Sequence, residues 1–297
     1  MNQVLRAYLA ITVLAVSWGT IPLIIRTSEI NSISLVGVRT FIGSIFLGII
    51  LLNKDVSLKE LIKPGLILGP LLAIHWVTMF ESIELNSVAV GIGLVFSYPI
   101  FVIFIEYARG TKLKSYQILL ILSGFLGLYL LLDLVDVKSN TGIIYGLLSA
   151  ISLAFIITIG ERYSSKLGGL KVAFSQLIVA AIILIKFTFD SLDWMISNIL
   201  TSLFLGLFLT ALGLTTYWYV VKVIKPLAVS TITYLEPVTG VVLGAFILNE
   251  TLDIRQVIGF SIVISVGVLQ VYLDSKVRPS STVSYTHLTL PTKVEVL

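Results

Sequence analysis

The 297-residue chain has no cysteine, which rules out disulfides, thiolate metal sites and cysteine nucleophiles. Histidine occurs only as His75 and His287, too few for a histidine-rich metal centre. Charge is scarce too. Asp, Glu, Lys and Arg together make up 12% of the residues, roughly half of the ~25% usual in soluble domains. A surface facing water cannot be built from so few charges. The chain also lacks a Walker-type phosphate loop, a nucleophile elbow and a metalloprotease helix motif, so it carries no signature of an ATP-driven pump or a hydrolase. No catalytic residue, metal site or cofactor is therefore expected.

What fills the chain instead is apolar. Hydrophobic residues reach 57% and the mean hydropathy is +1.04. They fall in runs of roughly 18–22 residues, the length that crosses a hydrocarbon core of ~30 Å. Ten helices are expected, at about 5–25, 33–52, 65–83, 87–105, 115–132, 141–160, 172–189, 199–221, 227–248 and 256–273. Helices follow because backbone in lipid must satisfy its own hydrogen bonds, and the short alternating segments of a barrel are absent. The first run follows Arg6 much as a signal peptide would, but it is too long for a typical apolar signal region. It reads as a retained helix.

The net charge of +4 reflects topology rather than nucleic-acid binding. With the N-terminus inside, the inner segments hold Arg6; Lys54, Lys59 and Lys63; Arg109, Lys112 and Lys114; Arg162, Lys166 and Lys171; Lys222 and Lys225; and Lys276 and Arg278. The outer loops hold Arg26, Lys138, Lys186 and Arg255. That is fourteen against four, and the excess of positive charge marks the cytoplasmic side. The expectation is a multi-pass inner-membrane protein with both termini cytoplasmic.

The chain divides near residue 140 into halves of five helices. Val95-Phe96-Ser97-Tyr98-Pro99 in the fourth helix parallels Tyr234-Leu235-Glu236-Pro237 in the ninth, and Gln117 and Gln256 open the last helix of each half. Five is odd, so the halves enter the membrane from opposite sides. The fold class is thus an all-α membrane protein, ten transmembrane helices as two inverted five-helix repeats, spanning 1–139 and 140–275. Inverted repeats are common in secondary transporters, whose solute sites lie near the midplane between the repeats.

Specific residues extend this. Ser17-Trp18-Gly19-Thr20 and Arg39, with Leu235-Glu236-Pro237-Val238, Gly244, Asn249-Glu250-Thr251-Leu252, Gln256, Gly259 and Gly267, resemble the drug/metabolite transporter superfamily, in its ten-helix EamA-like branch. The resemblance spans residues 5 to 273. It implies export of amino acids, related metabolites or drugs. The first half departs from the pattern at Arg109-Gly110-Thr111, where the repeat often carries a Gly-Glu pair. The tail, 276–297, matches nothing in that family and reads as disordered, and Val283 to Val296 looks like translated cloning sequence.

Four ionisable residues lie well inside the expected spans: Arg39, His75, Lys186 and Glu236. A charge at mid-bilayer costs ~2.5–3.5 kcal/mol on insertion scales, so such residues usually face a bundle interior or cavity. Glu236 sits roughly 12–15 Å deep by helical rise, on a face with Thr233, Gly240 and Gly244. Next to it, Pro237 is expected to free the Thr233 carbonyl. Glu236 is either a site for a cation or proton or a cap on the kinked backbone. Arg39 is either a carboxylate or phosphate contact or a snorkelling or interhelical tie. His75 is a proton relay or a hydrogen-bonded core residue, and Lys186 snorkels from the end of its helix. Trp18, Tyr98 and Tyr234 are the aromatic candidates for a solute path, with Tyr98 placed opposite Glu236 by the repeat.

The expected function is a secondary transporter of small organic metabolites, amino-acid-like solutes or drugs, working by alternating access and directed outward. The partners expected are a small-molecule substrate, the lipid bilayer and a coupling proton, and no nucleic acid. A phosphosugar or nucleotide-sugar carrier of the same superfamily, or a passive channel or facilitator, stands as the alternative.

Overall fold

A computed structural model describes residues 3–21, 24, 30–132, 137–248 and 253–277. Its regular elements are all helical among those residues: α1 (Gln3–Trp18), α2 (Ser32–Leu52), α3 (Leu58–Leu85), α4 (Val88–Val95), α5 (Tyr98–Ala108), α6 (Ser115–Leu132), α7 (Asn140–Leu167), α8 (Gly169–Ile183), α9 (Ile185–Asp190), α10 (Leu192–Ser197), α11 (Ile199–Leu203), a π-helix (Phe204–Leu212), α12 (Gly213–Ile224), α13 (Pro226–Ile232), α14 (Leu235–Leu248) and α15 (Ile254–Val277). Taken as continuous apolar segments these make ten passes. Passes four, seven, eight and nine are α4–α5, α8–α9, α11–α12 with the π-helix between, and α13–α14. Among the described residues eight stretches are long and apolar enough to cross a membrane, and Gln3–Trp18 and Gly169–Ile183 are shorter apolar helices.

Several helix N-termini are closed by side chains that lipid could not replace. Asn31 accepts from Ile33 N at 2.9 Å at the start of α2. Ser87 accepts from Val90 N, and Ser139 from Gly142 N, each at 3.2 Å. Each satisfies a donor that helical geometry leaves free. Outward-facing positions are apolar, with Val13, Ile49, Leu66, Phe104, Leu126 and Val268 all exposed. In lipid such a belt costs nothing; in water it would drive aggregation.

Close helix contact follows the glycines. Gly65 and Gly69 lie one turn apart on α3 and seat it against α8, where a Cβ on Gly69 would stand 2.6 Å from Val179 Cβ. Gly127 of α6 and Gly259 of α15 do the same for the fifth and tenth passes: a Cβ on Gly259 would fall 2.5 Å from the Gly127 carbonyl oxygen. Without a hydrophobic drive between helices in lipid, small residues allow the backbone approach that dispersion needs.

Several sequence expectations are corrected. The third and sixth helices, expected at 65–83 and 141–160, are 28-residue helices, Leu58–Leu85 and Asn140–Leu167. α3 passes through Pro64 and Pro70. The fourth and ninth helices are broken, at Phe96–Ser97 and at Thr233–Tyr234. The Thr233 carbonyl is not freed by Pro237, because it accepts from Glu236 N at 2.9 Å and so closes a tighter turn. The eighth helix carries nine residues of π-helix. Arg26, the Asn249 to Leu252 segment and the tail from Arg278 onward lie outside the described residues.

Candidate functional site

The two helix breaks meet in the middle of the bundle. Pro99 stands in the first turn of α5, where its missing N–H removes no helical bond. Pro237 is the third residue of α14, also in its first turn and directly after Glu236. The N-termini of both half-helices therefore open into the interior, the discontinuous-helix device of transporter sites. Tyr98 and Thr233 join the breaks: their oxygens lie 2.5 Å apart. Thr233 Oγ1 donates to the Ser230 carbonyl at 3.1 Å, so the Tyr98 phenol is the donor to Thr233.

Around this junction lies a cavity with about 850 Å³ of empty space, its open mouth included. Both halves of the chain line it. Trp18, Arg39, His75, Trp76, Phe96 and Tyr98 come from the first half; Gln176, Leu214, Tyr217, Thr233 and Glu236 come from the second. It reaches Ile21 and Ile83, near one end of the bundle.

Arg39, only 2% exposed, does not snorkel. Its Nε donates to Thr210 Oγ1 at 2.8 Å, and its guanidinium stacks 4.1 Å above the Trp76 ring. The tie uses one of its five donors and leaves the terminal nitrogens for the cavity. The π-helix makes this possible, because its wide turn turns Thr210 toward α2 and offers the Leu209 carbonyl to Trp18 Nε1 at 2.7 Å. Trp18 also packs on Tyr217, with ring centroids 5.6 Å apart. Gly19 lets α1 reach α14: a Cβ there would lie 2.5 Å from the Glu236 carbonyl oxygen.

The Glu236 side chain lines the cavity and takes no hydrogen bond or ion pair among the described residues. Its backbone N–H, not its carboxylate, closes the break. The reading of this carboxylate as a cap on the kink therefore has no contact behind it. Arg39 and Glu236 are electrostatically coupled without being in contact. His75 is tied to α7: Ser149 Oγ donates to the His75 carbonyl at 2.9 Å and lies 2.8 Å from Nδ1. With its proton committed, the hydroxyl accepts from Nδ1–H, which leaves Nε2 as the acceptor of the neutral ring.

Of the residues singled out in the sequence, Trp18, Arg39, His75, Tyr98 and Glu236 come together on this cavity. Tyr234 does not. It is fully buried behind the wall, donating to the Ile121 carbonyl at 3.3 Å and filling the notch left by Gly124. Lys186 is exposed and paired with Asp190 at 2.7 Å. Sequence reasoning overlooked Gln176, whose only signal was an amide inside an apolar run. It also placed Glu106 just past the end of its helix, whereas that residue is buried inside α5.

Away from the cavity mouth the opposite end of the bundle is stitched by polar contacts. Glu106 Oε1 meets Arg109 Nη1 at 2.5 Å, and the same nitrogen donates to the Thr158 carbonyl at 2.8 Å. Lys225 pairs with Glu161 at 2.5 Å. Tyr8 and Tyr116 both donate to Asp274, at 2.7 and 2.9 Å. The Arg109–Thr158, Tyr8–Asp274 and Tyr116–Asp274 contacts cross between the halves, whereas Lys225–Glu161 lies within the second.

The sequence profile of the EamA-like transporter family matches the chain twice, over residues 5–133 and 140–273. The chain belongs to the EamA-like transporter family. With that family it belongs to the drug/metabolite transporter superfamily. Among its relatives are an uncharacterized transporter of Archaeoglobus fulgidus, 25% identical over 88% of this chain and 94% of its own. Another is the Escherichia coli K12 protein named as the uncharacterized inner membrane transporter YedA, 25% identical over 90% of this chain and 91% of its own. A solved crystal structure with a TM-score of 0.72 covers 90% of this chain and 98% of that one at 17% identity, which shows a shared fold. This EamA-like chain is thus a multi-pass membrane protein of a transporter family, with a small-molecule substrate and a lipid bilayer as its partners.

Proposed function

We propose that the chain is a secondary transporter of the inner membrane, exporting amino-acid-like solutes or similar small organic metabolites by alternating access. One observation carries this reading: a permanent cation, Arg39, and an unpaired carboxylate, Glu236, face one interior cavity at the meeting of the two halves without touching each other. A buried charge is costly unless something compensates it. A small solute with an ammonium and a carboxylate would compensate both at once, and aromatic rings beside them suit its apolar part. The five-helix halves then serve as the two rocking bodies. The contacts of Arg109 with Thr158 and of Tyr8 and Tyr116 with Asp274 hold the halves together at one end while the cavity opens toward the other. The basic-residue asymmetry places that closed end at the cytoplasm and both termini with it.

A phosphosugar or nucleotide-sugar cargo fits less well, because Arg39 is the one permanent cation among the described cavity-lining residues and Glu236 would repel a dianion. A passive channel fits less well for the closed end. Purified protein in proteoliposomes should move labelled amino acids, and an imposed pH gradient should change the rate if a proton is coupled. Absence of flux for every member of a broad metabolite panel would overturn the reading.

A further inference from the structure

We propose that Gln176 is a specificity-determining contact of the cavity, its amide nitrogen donating to a carboxylate of the solute beside the guanidinium of Arg39. The inference rests on the reading of the cavity as a solute site and goes further by naming the group that is read. Gln176 lies in α8 and is fully buried. Its Oε1 accepts from Trp218 Nε1 at 3.0 Å. An indole nitrogen only donates, so flipping the amide would set two N–H groups against each other. Nε2 is therefore held away from Trp218. It is shielded from solvent and has no hydrogen-bond partner among the described residues, while Gln176 forms part of the cavity wall.

The anchor is itself fixed. Trp218 is fully buried, with its six-membered ring lodged in the notch at Gly160, where a Cβ would lie 2.0 Å from Cη2. Tyr217 packs edge-on at 5.4 Å. Gly160 thus sets Trp218, and Trp218 sets Gln176. Buried donors are seldom left unsatisfied, and one that is calls for a partner. Arg39 has spent only Nε on Thr210. The wall therefore holds the remaining guanidinium donors and, directly beneath its surface, an amide donor that a solute would have to draw out, and neither group can accept there. Their complement is a group made of acceptors, and on a small organic solute facing Glu236 that is a carboxylate borne by a molecule that also carries a cation.

The test uses purified full-length protein and three probes: L-phenylalanine, phenethylamine, which lacks the carboxylate, and 3-phenylpropionate, which lacks the ammonium. Wild type should bind phenylalanine in preference to both. Gln176→Glu keeps an oxygen for Trp218 and sets a negative charge where the carboxylate would sit. It should weaken phenylalanine binding by about tenfold or more and turn the preference toward phenethylamine, a reversal that a packing defect would not give. Gln176→Met keeps the volume without a donor and should weaken phenylalanine by a similar factor. Wild-type Kd values in both variants would overturn the proposal, as would a wild-type protein that binds none of the probes or prefers phenethylamine. Binding that responds to Gln176 with no flux in proteoliposomes would instead overturn the transport reading and leave this contact standing.

Discussion

Replacing Glu236 by glutamine removes a charge while keeping shape and most hydrogen-bonding capacity. The carboxylate makes no hydrogen bond or ion pair among the described residues, so the substitution breaks no polar contact in the resting fold. Thermal stability should change little, because no described hydrogen bond or ion pair is lost. Function should respond very differently. A solute ammonium held about 4 Å from the carboxylate, in surroundings of effective dielectric ~20, is attracted by about 4 kcal/mol. Part of that is offset by desolvating the two charges, so a net loss of about 1.4–3 kcal/mol is the working figure, or roughly ten- to hundredfold in affinity. The assay is counterflow of a labelled amino acid in proteoliposomes, at two external pH values, beside a melting curve of the same preparation. Loss of flux or of its pH dependence, with a little-changed Tm, is the expected pair of results. Wild-type flux with its pH dependence intact in Glu236→Gln would refute the reasoning and move the site toward Tyr98 and Arg39.

Other perturbations test separate parts of the argument. Arg39→Lys keeps the charge but loses the planar fork shared between Thr210, Trp76 and the cavity; solute affinity should fall about tenfold or more, and an unchanged Kd would remove Arg39 from the site. Tyr98→Phe deletes the 2.5 Å bond that joins the two helix breaks, which should cost about 0.5–1.5 kcal/mol and lower the Tm by a few degrees. Gly259→Leu places a side chain against the α6 backbone where even a Cβ would stand 2.5 Å from the Gly127 oxygen, so folded yield in membranes should drop sharply. Because the chain has no cysteine, Arg109→Cys with Glu161→Cys gives a clean pair across the two halves, where Arg109 reaches Thr158 one turn from Glu161; bridging it with a short bifunctional thiol reagent should stop transport, and reduction of a cleavable bridge should restore it. Topology reporters at residues 3 and 278 should both signal the cytoplasm, and a periplasmic signal from either would overturn the ten-pass alternation.

Much of this protein was written in composition and spacing. Lipid as solvent follows from 12% charged residues and runs long enough to span, because neither depends on which helix meets which. Arg39, His75 and Glu236 could be picked out one by one, since an ionisable group inside an apolar run is costly wherever it lands. Pro237 marked a kink in the ninth helix for the same local reason, but the breaks themselves, at Phe96–Ser97 and Thr233–Tyr234, appear only in the structure. What the sequence could not say is which of these residues share a space. Tyr234 sits two residues from Glu236, yet the turn at Thr233–Tyr234 sends it behind the wall to Gly124 and Ile121. Gln176 carries no charge and costs little by itself. It gains meaning only because Trp218, 42 residues away, occupies its oxygen and leaves its nitrogen unpartnered among the described residues. The π-helix, too, depends on tertiary partners, for its Leu209 carbonyl and Thr210 hydroxyl are taken up by Trp18 and Arg39 from the other half of the chain. Periodicity and cost per residue are local quantities and can be read along a chain. The pairing of donors with acceptors across 40 to 200 residues is settled only when helices that share the same apolar character choose their neighbours.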